Sequence, residues 1–212
     1  MNTLINSYFD GTATFTYENK TATPAEGDFV MATNAYFPPF ESVEGSKFKG
    51  VDIEIAYKLA TAMNKTLFVY DMEFDSIISS VKTGESDIGM AGMTVNAARL
   101  EQVNFATPYY SSAQVISVLE SDTTFDACTT AAEVEAILKA KGTDYIVGTQ
   151  TATTGYMYSA GDVDFGYDGF KNLTTKSYTT GALAMKDLQN GKINAVILDK
   201  QPSLMIAASM NK

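Results

Sequence analysis

Asp87-Ile88-Gly89-Met90-Ala91-Gly92-Met93-Thr94-Val95-Asn96-Ala97-Ala98-Arg99 is the stretch on which the reading of the fold turns. Its opening residues are strand-like, and a helical pattern begins after Asn96, which serves as an N-cap. Gly92 lets the backbone approach something small. Thr94 offers a hydroxyl and an N–H. Arg99 offers a planar fork of donors that matches a carboxylate bidentately. Open amides, a hydroxyl and an Arg at a helix start suit a small anion. The other reading is a strand-to-helix turn whose Arg is a solvated surface charge. This stretch alone leaves both readings open.

Upstream of it, residues 29–34 (Phe29-Val30-Met31-Ala32-Thr33-Asn34) read as a buried strand, and Pro38-Pro39 fixes an extended turn. Tyr36, Phe37 and Phe40 around that turn are either core or the wall of a pocket. Gly45 and Gly50 punctuate a loop. A helix starts at Asp52 with Ile53, Ala56, Leu59, Ala60 and Met63 on one face. Residues 67–70 form a strand, and Asp75 opens a helix that Gly84 terminates. Residues 29–103 therefore read βαβαβα, a parallel sheet covered by helices. Before them, residues 1–9 carry Leu4, Ile5, Tyr8 and Phe9 at one-face helical spacing, and residues 10–28 read as an irregular connection.

Downstream the pattern changes. Residues 114–119 are extended with no helix before them, a crossover between two lobes. A helix follows over 131–141, then a strand over 145–148. The loop from Thr149 to Gly155 is crowded with hydroxyls. Thr180 caps a further helix that Gly191 ends, and residues 193–198 form a buried strand closing on Asp199. The last helix is expected from Ser203 to Met210. Residues 82–90 and 189–197 share one plan: helix, terminating Gly, polar turn, strand. Each strand delivers polar groups at its carboxyl end, where ligands of open α/β sheets sit.

The chain of 212 residues carries 25 acidic and 15 basic side chains, net −10, and no Lys/Arg cluster, which excludes a nucleic-acid partner. It has no histidine, so Ser-His, Cys-His and His-metal chemistry are excluded. The single cysteine, Cys128, rules out an intrachain disulfide and a Cys metal site. No metal or cofactor is expected. No apolar run is long enough for a membrane span. Residues 1–28 show no secretory leader, as in a mature or trimmed secreted chain.

Several linked motifs carry a resemblance: Ala32-Thr33-Asn34-Ala35-Tyr36-Phe37-Pro38-Pro39-Phe40-Glu41, Gly50-Val51-Asp52-Ile53-Glu54-Ile55-Ala56, Phe74-Asp75-Ser76-Ile77-Ile78, Ala91-Gly92-Met93-Thr94 with Arg99, and Val103-Asn104-Phe105-Ala106 with Pro108-Tyr109-Tyr110. In order and spacing they resemble the polar-amino-acid solute-binding proteins of ABC importers, family 3. The resemblance spans residues 29 to about 205. It implies an α/β, two-lobed periplasmic-binding-protein type II fold, each lobe a mostly parallel sheet flanked by helices, with the ligand cleft between lobes. The expected division is an N-terminal helix and connection (1–28), lobe 1 (29–110), lobe 2 (111–199) and a terminal helix (200–212). The implied function is binding a free amino acid outside the cytoplasm and delivering it to ABC permease subunits, without catalysis. Alternatives on the same fold are a sensing module of a larger receptor and a dehydratase-type enzyme.

By the same resemblance, Arg99 clamps the ligand α-carboxylate and Asp199 pairs with the α-ammonium. Gly92 and Thr94, with Met93 between them, line that end, and Phe37 packs on the ligand side chain. Thr153 and Thr154 close on the carboxylate, Gln150 lies near the side-chain end, and Asn34 touches the distal part. Simpler roles stay open: Asp199, Thr153 and Thr154 as helix N-caps, and Phe37 as core. The chain also departs from the family pattern. Val51 stands where relatives have an aromatic, Asn34 where they often have Asp, and Ala152 where Gly is common. Asn34 leans the ligand towards an uncharged polar side chain. The usual C-terminal part of lobe 1 is absent, and residues 1–9 resemble the end of the family's last helix, placed to cover lobe 1. An incomplete first lobe would favour dimers or domain swapping.

Overall fold

Phe29–Thr33 form the first strand, β1, and all five residues are buried. A strand buried on both faces belongs at the centre of a parallel sheet. The computed structural model describes residues 1–211 and groups them into two units, one ending at Ser111 and one starting at Ser112. In the first unit, α1 (Asn2–Phe9) precedes β1. Then come β2 (Tyr36–Phe37), β3 (Glu41–Glu44), β4 (Lys47–Lys49), α2 (Val51–Ala62) and β5 (Leu67–Asp71). A 3-10 turn, Phe74–Ser76, leads into α3 (Ile77–Thr83), followed by β6 (Ile88–Gly89) and α4 (Ala97–Leu100).

β1 lies between β5 and β6, parallel to both. Strand alternation sends Met31 to one face and Ala32 to the other. Met31 packs with Ile53, Ala56 and Ala60 of α2 and with Leu67 and Val69. Ala32 packs with Ile77 of α3 and with Ala91. Gly84 ends α3 in the left-handed region, φ 76°, as its position predicts.

Residues 36–49 differ from the expected loop. They form an antiparallel three-stranded sheet in the order β2-β3-β4. Glu44 faces Lys47 across a two-residue turn whose first residue, Gly45, has φ 62°, the Gly-first arrangement that suits hairpins. The connection 10–28 is irregular, as expected, yet fastened to the sheets. Tyr17 exchanges backbone hydrogen bonds with Phe48, 2.8 and 2.7 Å. The Asn19 amide donates to the Val69 carbonyl and accepts from its N–H, at 2.9 and 2.8 Å. β5 is an outer strand, so Asn19 occupies an edge that would otherwise be open. α1 buries Ile5 and Tyr8 against Phe37, Phe40 and Val51. The Tyr8 hydroxyl donates to Glu54 of α2 at 2.8 Å.

The second unit holds β7 (Gln114–Ser117), α5 (Ala131–Lys139), β8 (Ile146–Gln150), α6 (Thr154–Ala160), β9 (Thr174–Tyr178), α7 (Gly181–Gln189), β10 (Ala195–Asp199) and α8 (Lys200–Met210). The sheet order is β7-β10-β8-β9. β8 runs parallel to β9 and β10, while β7 is antiparallel to β10. Val196 and Leu198 face α7 and α8, and Ala195 and Ile197 face Leu138 of α5. A capping box, Thr130 with Glu133, opens α5. α8 starts at Lys200 rather than Ser203, because Pro202 sits in the first turn, where its missing N–H has no intrahelical partner to lose. No helix of the described residues is long and apolar enough to cross a membrane.

Candidate functional site

In the first unit the polar groups gather at the carboxyl ends of β1 and β6. Gly92 adopts φ 55°, and a Cβ there would lie 3.0 Å from the Phe37 ring. The turn is therefore pressed against an aromatic wall, and glycine is the residue that fits. Asn96 caps α4 as its position predicts, its side chain accepting from the Arg99 N–H at 2.9 Å. That cap aims the Arg99 side chain back over the turn. Its Nη1 donates to the Thr94 carbonyl at 2.6 Å, and its Cζ lies 5.5 Å from the Phe74 ring centre. Arg99 is only 5% exposed, which removes the reading of a solvated surface charge.

Asn34 is also buried, and its amide nitrogen donates to the Met72 carbonyl at 2.8 Å. Phe37 is buried and stacks on Phe40, whereas Tyr36 is exposed. Val51 is wholly buried among aromatic and aliphatic neighbours. Met93 is half-buried and Thr94 exposed.

The second unit carries a comparable group. Asp199 ends β10 and is 7% exposed. It occupies the N-cap position of α8 but makes no capping bond with its side chain. It accepts instead from the Ser112 hydroxyl at 2.6 Å. No Lys or Arg is paired with it among the described residues. Gln150, at the end of β8, is buried and donates to the Thr179 carbonyl at 3.1 Å. Thr153 caps α6: its hydroxyl donates to the Gln150 carbonyl at 2.7 Å and accepts from the Tyr156 N–H. Thr154, half-buried, is the first residue of that helix. Ala152 takes φ 58° in the turn before it.

Sequence reasoning missed a buried acid beneath the Gly92 turn. Asp52 was expected only to start a helix. It is fully buried, and it accepts from the Gly92 N–H at 2.9 Å and from the Tyr109 hydroxyl. The Gly92 N–H is thus engaged within the protein. Burial pushes the Asp52 carboxyl above its usual range; the bonds from Tyr109 and Gly92 pull the other way. Burial, then the charge of Asp52, pushes Tyr109 upward, so it remains a donor. The available signal was an acid set between Val51 and Ile53, both inward-facing.

Residues 29–201 match the family described as bacterial extracellular solute-binding proteins, family 3. The chain belongs to that family. That description is of binding proteins, not of enzymes. The chain is 30% identical over 176 residues to an arginine-binding periplasmic protein of Mannheimia haemolytica, covering 82% of this chain and 64% of that protein. It is 32% identical over 171 residues to ABC transporter arginine-binding protein 1 of Escherichia coli K12, covering 80% and 62%. It spans somewhat less than two thirds of these relatives' length. Among solved structures it resembles the substrate-binding protein of an amino acid ABC transporter, with TM-score 0.72, 28% identity and coverage of 87% and 75%. It also resembles the arginine-bound form of a truncated ArgBP from T. maritima, with TM-score 0.70, 29% identity and coverage of 86% and 78%. Each unit here is built on a mostly parallel sheet flanked by helices, the periplasmic-binding-protein type of fold.

Proposed function

We propose that this family 3 protein binds a free amino acid outside the cytoplasm and hands it to the permease subunits of an ABC importer. The observation that carries the proposal is the burial of Arg99 immediately after the Gly92 turn, held by the Thr94 carbonyl and the Phe74 ring. A guanidinium is costly to bury, and a ligand carboxylate accepting both of its forks offsets that cost. Asp199, buried with a neutral hydroxyl as partner, supplies the complementary charge for the α-ammonium. In this assignment Gly92 contributes its carbonyl, and Thr94 its hydroxyl and N–H. Thr153 and Thr154, at the N-terminus of α6, close on the carboxylate.

Phe37, Met93 and Val51 shape the apolar side of the site. Asn34 and Gln150 meet the distal polar end of the ligand. Asn34 leans towards an uncharged polar side chain, but the curated relatives are named for arginine or histidine. L-Arginine is therefore the first ligand to try. The test is calorimetric titration and thermal unfolding with each standard amino acid. A midpoint rise with a small set that includes arginine, abolished by Arg99→Ala, supports the reading, because a ligand that binds only the folded state raises stability by mass action. No shift with any amino acid overturns it.

A further inference from the structure

Among the described residues, four helices are capped by the side chain of the residue before them, and each cap draws on the same donor. Asn96, Thr130, Thr153 and Thr180 accept from the N–H of the third helical residue: Arg99, Glu133, Tyr156 and Leu183. Asp199 occupies the same position before α8 and carries one of the best capping side chains. It makes no such bond. The third residue of α8 is Pro202, which has no N–H to give.

The carboxylate is held from β7 instead. Asp199 stands opposite Gln114 in the antiparallel pairing of β10 with β7. The Lys200 N–H donates to the Ala113 carbonyl at 2.9 Å, which carries that pairing one step further. Side chains alternate along an extended chain, so Ser112 comes up on the same side as Gln114 and Asp199. Its hydroxyl donates to Asp199 Oδ1 at 2.6 Å, the length of a charge-assisted O–H···O⁻ bond. Gln114, directly across, gives Asp199 no hydrogen bond, and Oδ2 accepts from no group among the described residues.

We infer that Ser112 is a positioning residue: its hydroxyl holds the Asp199 carboxylate off the end of α8 and leaves Oδ2 to receive the α-ammonium of an amino acid. Pro202 withholds the donor that the other caps use, and Ser112 supplies the one that fixes the side chain. An ammonium then meets a carboxylate already in place, with less side-chain entropy to lose on binding. The role in ligand binding rests on the function proposed above. The placement of the carboxylate does not.

The experiment uses the full chain labelled with 13C and 15N, as wild type, Ser112→Ala and Ser112→Thr. Ser112 is exposed, so losing its hydroxyl opens no cavity in the core. Asp199→Asn assigns the Asp199 carboxyl carbon by the signal that disappears. Without ligand, that signal should move in Ser112→Ala and return close to its wild-type position in Ser112→Thr, which keeps a hydroxyl. A signal indifferent to Ser112→Ala, or one that Ser112→Thr fails to restore, overturns the inference. Calorimetric titration with L-arginine gives the functional arm. Ser112→Ala should weaken binding by about fivefold or more, and Ser112→Thr by less than about twofold. L-Arginine affinity unchanged in Ser112→Ala overturns the positioning role even where the carbon signal moves. A wild-type chain that binds no amino acid sinks the binding reading, and the carbon spectra still decide what holds Asp199.

Discussion

Ala152 holds a conformation that L side chains rarely adopt, φ 58°, in the turn before α6. The left-handed region costs a residue with a Cβ about 1–2 kcal/mol more than glycine. Ala152→Gly should therefore raise stability, by up to about 1 kcal/mol after the extra unfolded-state entropy of glycine is subtracted. Urea unfolding measures it; a loss of stability would show that the methyl group packs well enough to outweigh the strain. Arg99 gives the opposite kind of prediction. Its guanidinium is buried and held by the Thr94 carbonyl and the Phe74 ring, so truncation removes a preformed charge. Arg99→Ala should weaken amino-acid binding by about 2–5 kcal/mol, the range for breaking a buried charge pair. Arg99→Lys should recover little of it, since a point charge cannot make the bidentate contact. Calorimetry on the two variants checks both.

At the scale of elements, α1 repays attention because its sequence is weakly informative. Its apolar face reads plainly as Leu4, Ile5, Tyr8 and Phe9, yet what that face meets is a long-range fact. Ile5 and Tyr8 pack on Phe37, Phe40 and Val51, so the helix supports the wall against which the Gly92 turn leans. Ile5→Ala should cost about 2–4 kcal/mol through loss of burial and the cavity left behind. Equilibrium unfolding followed by tyrosine fluorescence measures it, and a cost under about 0.5 kcal/mol would mean that α1 frays from the unit without consequence. The parallel strands and their covering helices were legible because β1 and β10 are apolar runs bounded by Gly or polar turns. The β2-β3-β4 sheet was not, since strands of two to four residues with mixed polarity carry no period. The start of α8 was misplaced because Pro202 looks like a breaker until it is seen to lie in the first turn. Arg99 and Asn96 could be read as a local pattern. Asp52 could not, because its partners, the Gly92 N–H and the Tyr109 hydroxyl, are brought to it by the fold alone.

At the scale of the whole molecule, the acids divide into two groups with opposite pH signatures. Thr129 and Thr130 amides hold Glu133 below its usual range, and Lys192 and its neighbours hold Asp187 at about 2. Such groups support folding above their unfolded values, about 3.9 for Asp and 4.3 for Glu, and lose that support as pH falls. Asp52 is raised by burial, so it acts in the other direction. Stability therefore falls as pH climbs above the unfolded value of about 3.9, by at most about 1.4 kcal/mol per pH unit, until the folded Asp52 carboxyl ionises too. Bulk stability cannot isolate this slope, because the depressed carboxylates and the net charge of −10 also vary with pH. A difference can. Asp52→Asn carries no proton to lose, so the other terms cancel between the two proteins. Wild type minus Asp52→Asn should decline as pH rises above about 4 in urea unfolding. A difference that is flat with pH would mean that the bonds from Tyr109 and Gly92 fully offset the burial of the Asp52 carboxyl.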